Sequence, residues 1–267
     1  MHRLCGPGAG VSEMREAYEA DGFFLAAWPV APEDAVAAAV TGMESVRRGE
    51  YDTGIPPCPS SWSPGDDASR LCKIEQPQFA SHALRALVGH PAIGALAAGI
   101  TGARFIQAWW VQLLVKPPVT AEAPTSIGWH QDRSYWGVWT PESELFTAWV
   151  ALSDVDAASG PMRFVRGSHH WGRWDGSDFW AQDLAGQQRS EAARRDWEEI
   201  AAILPPGGVS FHDDMTIHGS GPNVSARPRC SLAIHLRTEN SRPAGGVRTG
   251  LAEYIDDADR CPILYRA

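Results

Sequence analysis

The chain has 267 residues and a formal net charge of −9, with hydrophobic residues at 44% and charged residues at 21%. This length suffices for one domain with a well-buried core. An acidic chain lacks the cationic footprint of non-specific nucleic-acid binding, so we expect no nucleic-acid partner and no anionic membrane partner. The five cysteines are odd in number and form no CxxC pair, which argues against a disulfide framework or a thiolate zinc site.

The first hundred residues are predicted to form helices joined by loops. Helices are predicted at 12–20, 32–48, 81–88 and 91–100, and a short strand at 23–30. Ser12 is the candidate N-cap of the first helix, and Pro32 suits the first turn of the second. The stretch 53–69 is rich in Pro, Gly and Ser and predicts a loop.

From about residue 101 onward the sequence predicts a β domain. Aromatic and branched residues predict strands at 104–115, 145–152, 162–165, 208–212 and 229–237, with one helix between them at 190–204. Short strands separated by Gly/Pro turns indicate a sandwich or barrel. Since no linker marks a second domain, we predict a single domain with a helical N-terminal layer at 1–100 and a β core at 101–267.

A cytoplasmic location is expected. The first residues, MHRLCGPGAG, lack the apolar region of a secretory signal. No run approaches the roughly 20 apolar residues that a membrane span requires. Unpaired cysteines fit a reducing compartment.

The stretch GWHQD at 128–132 carries the strongest chemical signal. In an extended segment, residues two apart point to the same face, so His130 and Asp132 can aim an imidazole nitrogen and a carboxylate oxygen at one point. With one distant histidine they would form the facial triad of non-haem Fe(II) oxygenases, which leaves positions open for other ligands. Because an HxD pattern alone arises by chance in many proteins, this interpretation depends on a suitable third ligand.

His218 is the best candidate for that third ligand. It directly precedes the Gly-rich turn at 219–223, where small neighbours let a cofactor approach. His212, beside Asp213 and Asp214 near the end of a predicted strand, is the main alternative. The other histidines are interpreted as structural, turn or surface groups: His2, His82, His90, His169, His170 and His235.

Several short motifs follow one another along the chain: DGF at 21–23, WHQD at 129–132, TAWVAL at 147–152, GPMRFVRGSH at 160–169 and HGSGPN at 218–223, followed by Arg229. Together they cover most of the chain, and it resembles the phytanoyl-CoA dioxygenase-like branch of the Fe(II)/2-oxoglutarate oxygenases. The resemblance implies a mainly β fold with flanking helices and a double-stranded β-helix core of the jelly-roll, cupin-like type. It also implies Fe(II) and 2-oxoglutarate as cofactors, with the iron held by His130, Asp132 and His218.

The resemblance further implies a 2-oxoglutarate site. The family places an arginine on the strand after the distal histidine, where it binds the far carboxylate, and Arg229 stands at the family's offset of eleven residues (229 − 218) from His218. A guanidinium meets a carboxylate with two parallel hydrogen bonds. Arg227 is a weaker alternative. Further cosubstrate contacts are implied for Ser220, Thr147, Gln112 and Trp149.

The substrate side is predicted from aromatic residues near the metal motif. Twelve tryptophans is a high number for this length, and each belongs either to the core or to an aromatic wall around a substrate. Loops at 53–69, 117–127 and 171–184 are candidate lids. The predicted substrate contacts are Trp136, Trp139, Arg163, Trp174 and Trp180, and Arg133 is a further candidate. For either arginine, the alternative is a surface ion pair.

These features predict an enzyme that hydroxylates an unactivated C–H bond of a small molecule with O₂ in bacterial specialised metabolism, releasing succinate and CO₂. The same cofactors would also serve desaturation, epimerisation, cyclisation or endoperoxide formation. A jelly-roll binding protein without redox activity is the alternative from another class, since imidazole and carboxylate also suit other metals. The oligomeric state and the role of the cysteines stay open.

Overall fold

The computed structural model describes residues 6, 8–120, 125–192 and 194–267. The helices in these ranges are α1 Val11–Asp21, α2 Glu33–Arg47, α3 His82–Val88, α4 Pro91–Thr101 and α5 Leu184–Ala192. The first four confirm the predicted N-terminal helices. The N-cap of α1 is Gly10 rather than Ser12, because the Ser12 hydroxyl donates instead to Glu16 within the helix.

The strands in the same ranges are β1 Phe23–Ala26, β2 Cys72–Glu75, β3 Phe105–Lys116, β4 Ile127–His130, β5 Leu145–Ala151, β6 Met162–Val165, β7 Glu199–Ala201, β8 Val209–Asp213, β9 His218–Ser220, β10 Arg229–Thr238 and β11 Ile263–Arg266. The predicted strands are all present, although β1 is shorter than expected. The strands β2, β4, β7, β9 and β11 were not predicted as strands, although His130 was placed in an extended segment. Each has only three or four residues, a length at which alternation is rarely visible.

The helix predicted at 190–204 is wrong. α5 begins at Leu184 and ends at Ala192, residue 193 lies outside the described residues, and 199–201 form β7. The register of β7 against β6 pairs Glu199 with Val165. Tertiary strand pairing here overrides a composition that favours helix.

The strands form two antiparallel sheets. The larger sheet has the order β1–β8–β5–β10–β3–β11, with β2 also paired to β3, and the smaller has the order β4–β9–β6–β7. Apolar residues of both sheets, among them Trp149 and Phe164, pack together between them. The facing sheets and the N-terminal helices confirm a mainly β fold with flanking helices.

Alternation along the larger sheet divides its side chains between two faces. On β10, Leu232, Ile234 and Leu236 join the helices in the largest apolar core. Ala233 and His235 point the other way and line the space between the sheets. The polar side chains of the functional site therefore lie on one face of the larger sheet, and the helices pack against its opposite face.

The stretch His82–Thr101 has the length and apolar composition of a membrane span, which the core helices of a folded domain can also have. It consists of two helices, α3 and α4, which Gly89 and His90 separate. Its mean hydropathy is 1.4, and 44% of it is buried inside the fold. Leu84 and Ile93 are fully buried in the main apolar core, so the stretch packs as a pair of core helices.

Candidate functional site

Two histidines face each other across the smaller sheet. β4 pairs with β9, with an irregularity between Ile127 and His130, so that His130 lies opposite His218. Their ring centroids are 4.1 Å apart. A Cβ at Gly219 would lie 3.0 Å from the carbonyl oxygen of Ile127, so glycine at this position lets the two strands approach closely.

Asp132 follows β4 and completes a buried cluster with the two histidines. Its Oδ1 lies 3.7 Å from Nε2 of His130 and 3.7 Å from Nε2 of His218. The three ligand atoms lie within 4.8 Å of one another and can hold one metal ion. The three residues are only 3%, 7% and 4% exposed in sequence order.

The hydrogen bonds of both histidines suit a metal. Nδ1 of His130 donates to the carbonyl oxygen of Gly128 at 2.8 Å, and Nδ1 of His218 donates to that of Thr216 at 2.9 Å. Because a carbonyl oxygen only accepts, each Nδ1 carries the proton and each Nε2 presents a lone pair to the cluster. Burial lowers the pKa of both rings, which keeps them neutral. Two imidazole nitrogens and one carboxylate oxygen on one side are the donor set of non-haem Fe(II) sites, so these residues fit iron.

The second oxygen of Asp132 is held by the larger sheet. Thr147 Oγ1 donates to Oδ2 at 2.8 Å. Nε2 of His212, the alternative third ligand, lies 3.3 Å from the same oxygen, so His212 contacts Oδ2, whereas His130 and His218 face Oδ1. Burial alone would raise the pKa of Asp132, but its interactions with His218, His212 and His235 outweigh burial and hold that pKa well below its usual value.

An inner cavity of about 40 Å³ lies between the sheets on one side of the triad. The five residues implied as cosubstrate contacts all line it: Gln112, Thr147, Trp149, Ser220 and Arg229. Among charged side chains, Arg229 is unusual in being only 1% exposed. The inner cavity thus joins a metal-binding donor set to a buried cation.

The guanidinium of Arg229 is held from two sides. Its Nη1 donates to the carbonyl oxygen of Gly160, and the group lies 5.1 Å from the ring of Trp149. Its Nε has no hydrogen-bond partner in the described part of the chain. Burial lowers the pKa of Arg229 to about 10, so it remains a cation at neutral pH. A buried cation with unused donor capacity suits a carboxylate ligand.

Arg227, the weaker alternative, lies elsewhere. Its guanidinium is 73% exposed and lies 4.0 Å from Asp154. It does not line the inner cavity.

A second buried cation, Lys116, positions Ser220. Lys116 Nζ donates to Ser220 Oγ at 2.5 Å and to the carbonyl oxygen of Gly221 at 2.7 Å. Burial and the charge of Arg229 hold the pKa of Lys116 well below its usual value. With its lone pair engaged by Lys116, the Ser220 hydroxyl keeps its proton available for an acceptor in the cavity.

An outer cavity of about 260 Å³ lies on the other side of the triad, and His130 and Asp132 line both cavities. Its wall is largely aromatic: Trp110, Tyr135, Trp136, Phe179 and Trp180. One ion pair lies in this wall, between Lys73 and Glu75 at 2.8 Å, and the Trp110 indole also donates to Glu75. Lys73 Nζ lies 5.0 Å from the centre of the Phe179 ring.

The five predicted substrate contacts divide into two groups. Trp136 and Trp180 line the outer cavity. Trp139 packs in a core cluster with Trp109, and Trp174 packs in another with Trp129. Neither of these two tryptophans lines either cavity, and nor does Arg163, which forms an ion pair with Glu199 at 2.8 Å.

Arg133 and two of the candidate lids are also placed by the structure. Arg133 forms a buried ion pair with Asp214 at 3.1 Å rather than reaching either cavity. The loop 171–184 contributes Phe179 and Trp180 to the outer cavity, whereas 53–69 contributes nothing to its lining. The loop 117–127 lies partly outside the described residues.

Sequence reasoning missed several residues of the site. Lys73 and Glu75 lie on β2, a strand that was not predicted. His235 was interpreted as a packed or half-exposed residue, yet it is 4% exposed and lines both cavities. The signal was present, because His235 is an even number of residues (235 − 229 = 6) from Arg229 and so shares its face of β10.

Solved structures resemble this fold along most of its length. The non-haem alpha-ketoglutarate-dependent carbocyclase SnoK from nogalamycin biosynthesis superposes with a TM-score of 0.73, at 24% identity over 96% of this chain and 97% of that one. The epimerase SnoN, in complex with Fe³⁺, alpha-ketoglutarate and nogalamycin RO, superposes with a TM-score of 0.70, at 23% identity over 87% of this chain and 85% of that one. These likenesses confirm the cupin-like jelly-roll core.

A curated relative is similar in sequence as well. L-proline trans-4-hydroxylase from Streptomyces griseoviridis is 31% identical over 163 residues, which are 51% of this chain and 56% of the relative. The chain spans about half the length of the curated relatives it matches first.

The family model for phytanoyl-CoA dioxygenase (PhyH) matches residues 18–231, a span that contains the triad and Arg229. Iron and 2-oxoglutarate are typical of this family, and the donor set of His130, Asp132 and His218 fits that metal. The chain belongs to the phytanoyl-CoA dioxygenase family of Fe(II)/2-oxoglutarate oxygenases.

Proposed function

We propose that this oxygenase hydroxylates an unactivated C–H bond of a small molecule in bacterial specialised metabolism. The balanced reaction converts substrate, O₂ and 2-oxoglutarate into the alcohol, succinate and CO₂. The observation that carries the proposal is the position of the buried His130–Asp132–His218 cluster between two unlike cavities, one closed by a buried cation and one walled by aromatic rings. A cytoplasmic location stays part of this proposal.

In this proposal His130, Asp132 and His218 hold the iron. When bound, iron and 2-oxoglutarate supply the activation of O₂ and the two electrons released as the keto acid becomes succinate and CO₂. The neutral imidazoles keep Nε2 available because Gly128 and Thr216 accept their Nδ1 protons. Asp132 presents Oδ1 to the metal because Thr147 engages Oδ2.

The inner cavity binds 2-oxoglutarate. Arg229 binds the far carboxylate through guanidinium N–H groups, and Ser220 adds its hydroxyl proton. Trp149 supports the guanidinium with its ring face, and Gln112 lies in the walls of both cavities. Because these buried donors are already held in place, they bind the carboxylate in one orientation without moving. The binding energy therefore positions 2-oxoglutarate relative to the triad.

The outer cavity binds the primary substrate. Its aromatic side chains exclude water from the reacting bond and orient an apolar frame. Apart from the metal-binding Asp132, its charged side chains are Lys73 and Glu75. They are paired with each other, so neither is left as an unopposed charge for a strongly ionic substrate. Tyr135 and Trp180 are 47% and 57% exposed and stand where a substrate would enter.

A different outcome with the same cofactors is the second candidate. Two of the solved structures that resemble this fold are a carbocyclase and an epimerase. None of the residues assigned above acts as an acid, a base or a nucleophile, so these residues do not select among the outcomes. With iron held by the triad, the position in which the outer cavity holds the reacting C–H bond would decide between hydroxylation, ring closure and epimerisation.

The test is product analysis with labelled oxygen. The enzyme with Fe(II), 2-oxoglutarate and ¹⁸O₂ is offered compounds from free amino acids to polycyclic aromatic compounds, and hits are those that stimulate succinate formation. A product that gains one ¹⁸O atom per succinate supports hydroxylation. A product that lacks the label, with loss of two hydrogens or with unchanged mass, replaces it by desaturation, cyclisation or epimerisation. No stimulation by any compound, with 2-oxoglutarate left unconsumed, favours the non-redox binding protein.

A further inference from the structure

Three side chains form a row across the larger sheet beneath the metal cluster. The strand registers place Thr147 of β5 between His235 of β10 and His212 of β8. Asp132 Oδ2 approaches the middle of this row, at 2.8 Å from Thr147 Oγ1 and 4.0 Å from Nδ1 of His235. Thr147 Oγ1 and His235 Nδ1 are also 2.8 Å apart. The row links the metal-binding carboxylate to the wall of the outer cavity.

The protons in this row can be assigned from hydrogen-bonding capacity. A carboxylate only accepts, so the single hydroxyl proton of Thr147 goes to Asp132. The threonine oxygen then has only lone pairs to offer His235, and Nδ1 of His235 must donate to it. A neutral His235 therefore carries its proton on Nδ1, and its Nε2 is an acceptor.

The ring of His235 is fixed in place by two tryptophans. Its centroid lies 4.8 Å from that of Trp136 and 5.7 Å from that of Trp109. Trp136 lines the outer cavity and Trp109 lies in the core behind it. Nε2 has no hydrogen-bond partner among residues 6, 8–120, 125–192 and 194–267, and the residue lines both cavities. Nε2 is not among the buried polar atoms that lack a partner, so it is open to the cavity, where a donor group of a ligand can replace water.

We propose that His235 is a specificity-determining residue whose Nε2 accepts a hydrogen bond from an O–H or N–H group of the primary substrate. The inference rests on the proposed function of the outer cavity and deepens it by naming the substrate class. That class is an apolar or aromatic small molecule that carries a hydrogen-bond donor close to the C–H bond that reacts. Trp136 and Trp110 contact its apolar frame.

The same contact orients the substrate relative to the metal. His235, Thr147 and Asp132 form one hydrogen-bonded chain, so a donor held by Nε2 has a fixed position relative to the carboxylate that binds the iron. Alkylation of the donor removes the hydrogen bond and places an apolar group against a buried acceptor. Because an acceptor covered by an apolar group loses its hydrogen bond, the alkylated compound should bind about 10-fold more weakly or worse.

The experiment uses matched probe pairs. Anaerobic enzyme loaded with Fe(II) and 2-oxoglutarate is titrated by calorimetry with 2-naphthol against 2-methoxynaphthalene, and with indole against 1-methylindole. The visible charge-transfer band of the iron–keto acid complex is recorded in parallel. We expect the donor of each pair to bind about 10-fold tighter than its methylated partner in the unmodified enzyme.

Three variants test whether His235 causes the preference for the donor of each pair. His235→Phe keeps an aromatic ring and removes the acceptor, so both members of a pair should bind alike. His235→Gln keeps an acceptor and should restore part of the preference. His170→Phe is the matched control, because His170 is exposed and outside both cavities, and it should discriminate as the unmodified enzyme does.

Equal binding of both members to the unmodified enzyme overturns the inference, as does discrimination that survives in His235→Phe. An intact band with no probe bound overturns it as well. Loss of the band in the unmodified enzyme contradicts the proposed function instead, so the two failures are distinguishable. If His235→Phe does not fold, the unmodified enzyme and His235→Gln still decide the outcome.

Discussion

The inner and outer cavities share His130 and Asp132 of the triad but differ in construction. The inner cavity, about 40 Å³, is built mostly by regular strands, and its cation Arg229 is buried and held by the carbonyl oxygen of Gly160. Behind it, the buried Lys116 holds Ser220, which also lines this cavity. The outer cavity, about 260 Å³, takes Tyr135, Trp136 and Trp180 from segments outside the strands. A scaffold of this kind holds one cosubstrate in a fixed way, whereas its loops can change to take different substrates. The first prediction concerns what the two cavities share, and the next ones separate them.

The largest effect is expected at the junction between the cavities. Asp132→Ala removes the carboxylate that neutralises the metal site and leaves two neutral imidazoles, so metal binding and turnover should both be lost. The measurement is iron content after reconstitution, with circular dichroism to establish folding. Full iron occupancy in a folded Asp132→Ala protein would show that the three residues are not the metal site.

The next effect should be confined to the inner cavity. Arg229→Ala removes the buried partner of the far carboxylate, and truncation of one side of a buried charged hydrogen bond costs about 2–5 kcal/mol, so the KM for 2-oxoglutarate should rise roughly 30-fold or more. Probe binding in the outer cavity should change little in comparison.

Arg163→Ala is the matched control for Arg229→Ala. Arg163 forms a partly exposed ion pair with Glu199, with 43% of its side chain exposed, and such pairs contribute about 0–1 kcal/mol. Its loss should leave the KM for 2-oxoglutarate unchanged. If both substitutions raised the KM for 2-oxoglutarate equally, Arg229 would have no special role in binding the cosubstrate.

A smaller effect is expected where the larger sheet supports the metal ligand. Thr147→Val keeps the shape of the side chain and removes the hydroxyl that holds Asp132 Oδ2. Loss of such a supporting hydrogen bond lowers metal affinity by about 10–100-fold. Competition with a chelator measures the affinity, and Thr147→Ser should recover it. Unchanged metal affinity in Thr147→Val would mean that the sheet does not orient the carboxylate.

Trp180→Ala should have the smallest effect on the stability of the fold. It should also weaken binding in the outer cavity without affecting the inner one. This side chain is 57% exposed, so the stability should change by no more than about 0.5 kcal/mol. Binding of aromatic probes should weaken while the KM for 2-oxoglutarate stays the same. Ile203→Ala, at a residue 46% exposed and away from both cavities, controls for loss of surface apolar area. A shift in the KM for 2-oxoglutarate in Trp180→Ala would mean that the two cavities are not separable.

The difference between the cavities also explains how far the sequence could predict the site. The cavity residues Gln112, Thr147, Trp149 and Arg229 lie on the long strands β3, β5 and β10, whose alternation is visible in the sequence, so the side chains that share a face could be counted. The metal ligands were identified from residue types and spacing instead. The tryptophans of the outer cavity could not be sorted in that way. Trp136 and Trp139 are three residues apart and both are buried, yet only Trp136 lines the cavity, because tertiary packing of a segment without a strand or helical period decides which ring points inward.

The fold shows the same limit. Helices α1–α4 and the long strands have enough residues to display a period, and their positions were predicted within a few residues. The short strands β2 and β7 exist only because longer strands pair with them. Because β2 was not predicted, Lys73 and Glu75 were not recognised as residues of the site. Because 199–201 was predicted as helix, the edge strand of the smaller sheet was not recognised.

The most direct test of the central claim is to add Fe(II) and 2-oxoglutarate to the metal-free protein without oxygen and to record the visible charge-transfer band of the complex. The account predicts a band that is absent in His130→Ala and that needs a much higher 2-oxoglutarate concentration in Arg229→Ala. A folded, unmodified protein that gives no band, or a band that persists in His130→Ala, would contradict the assignment of the triad and of the inner cavity.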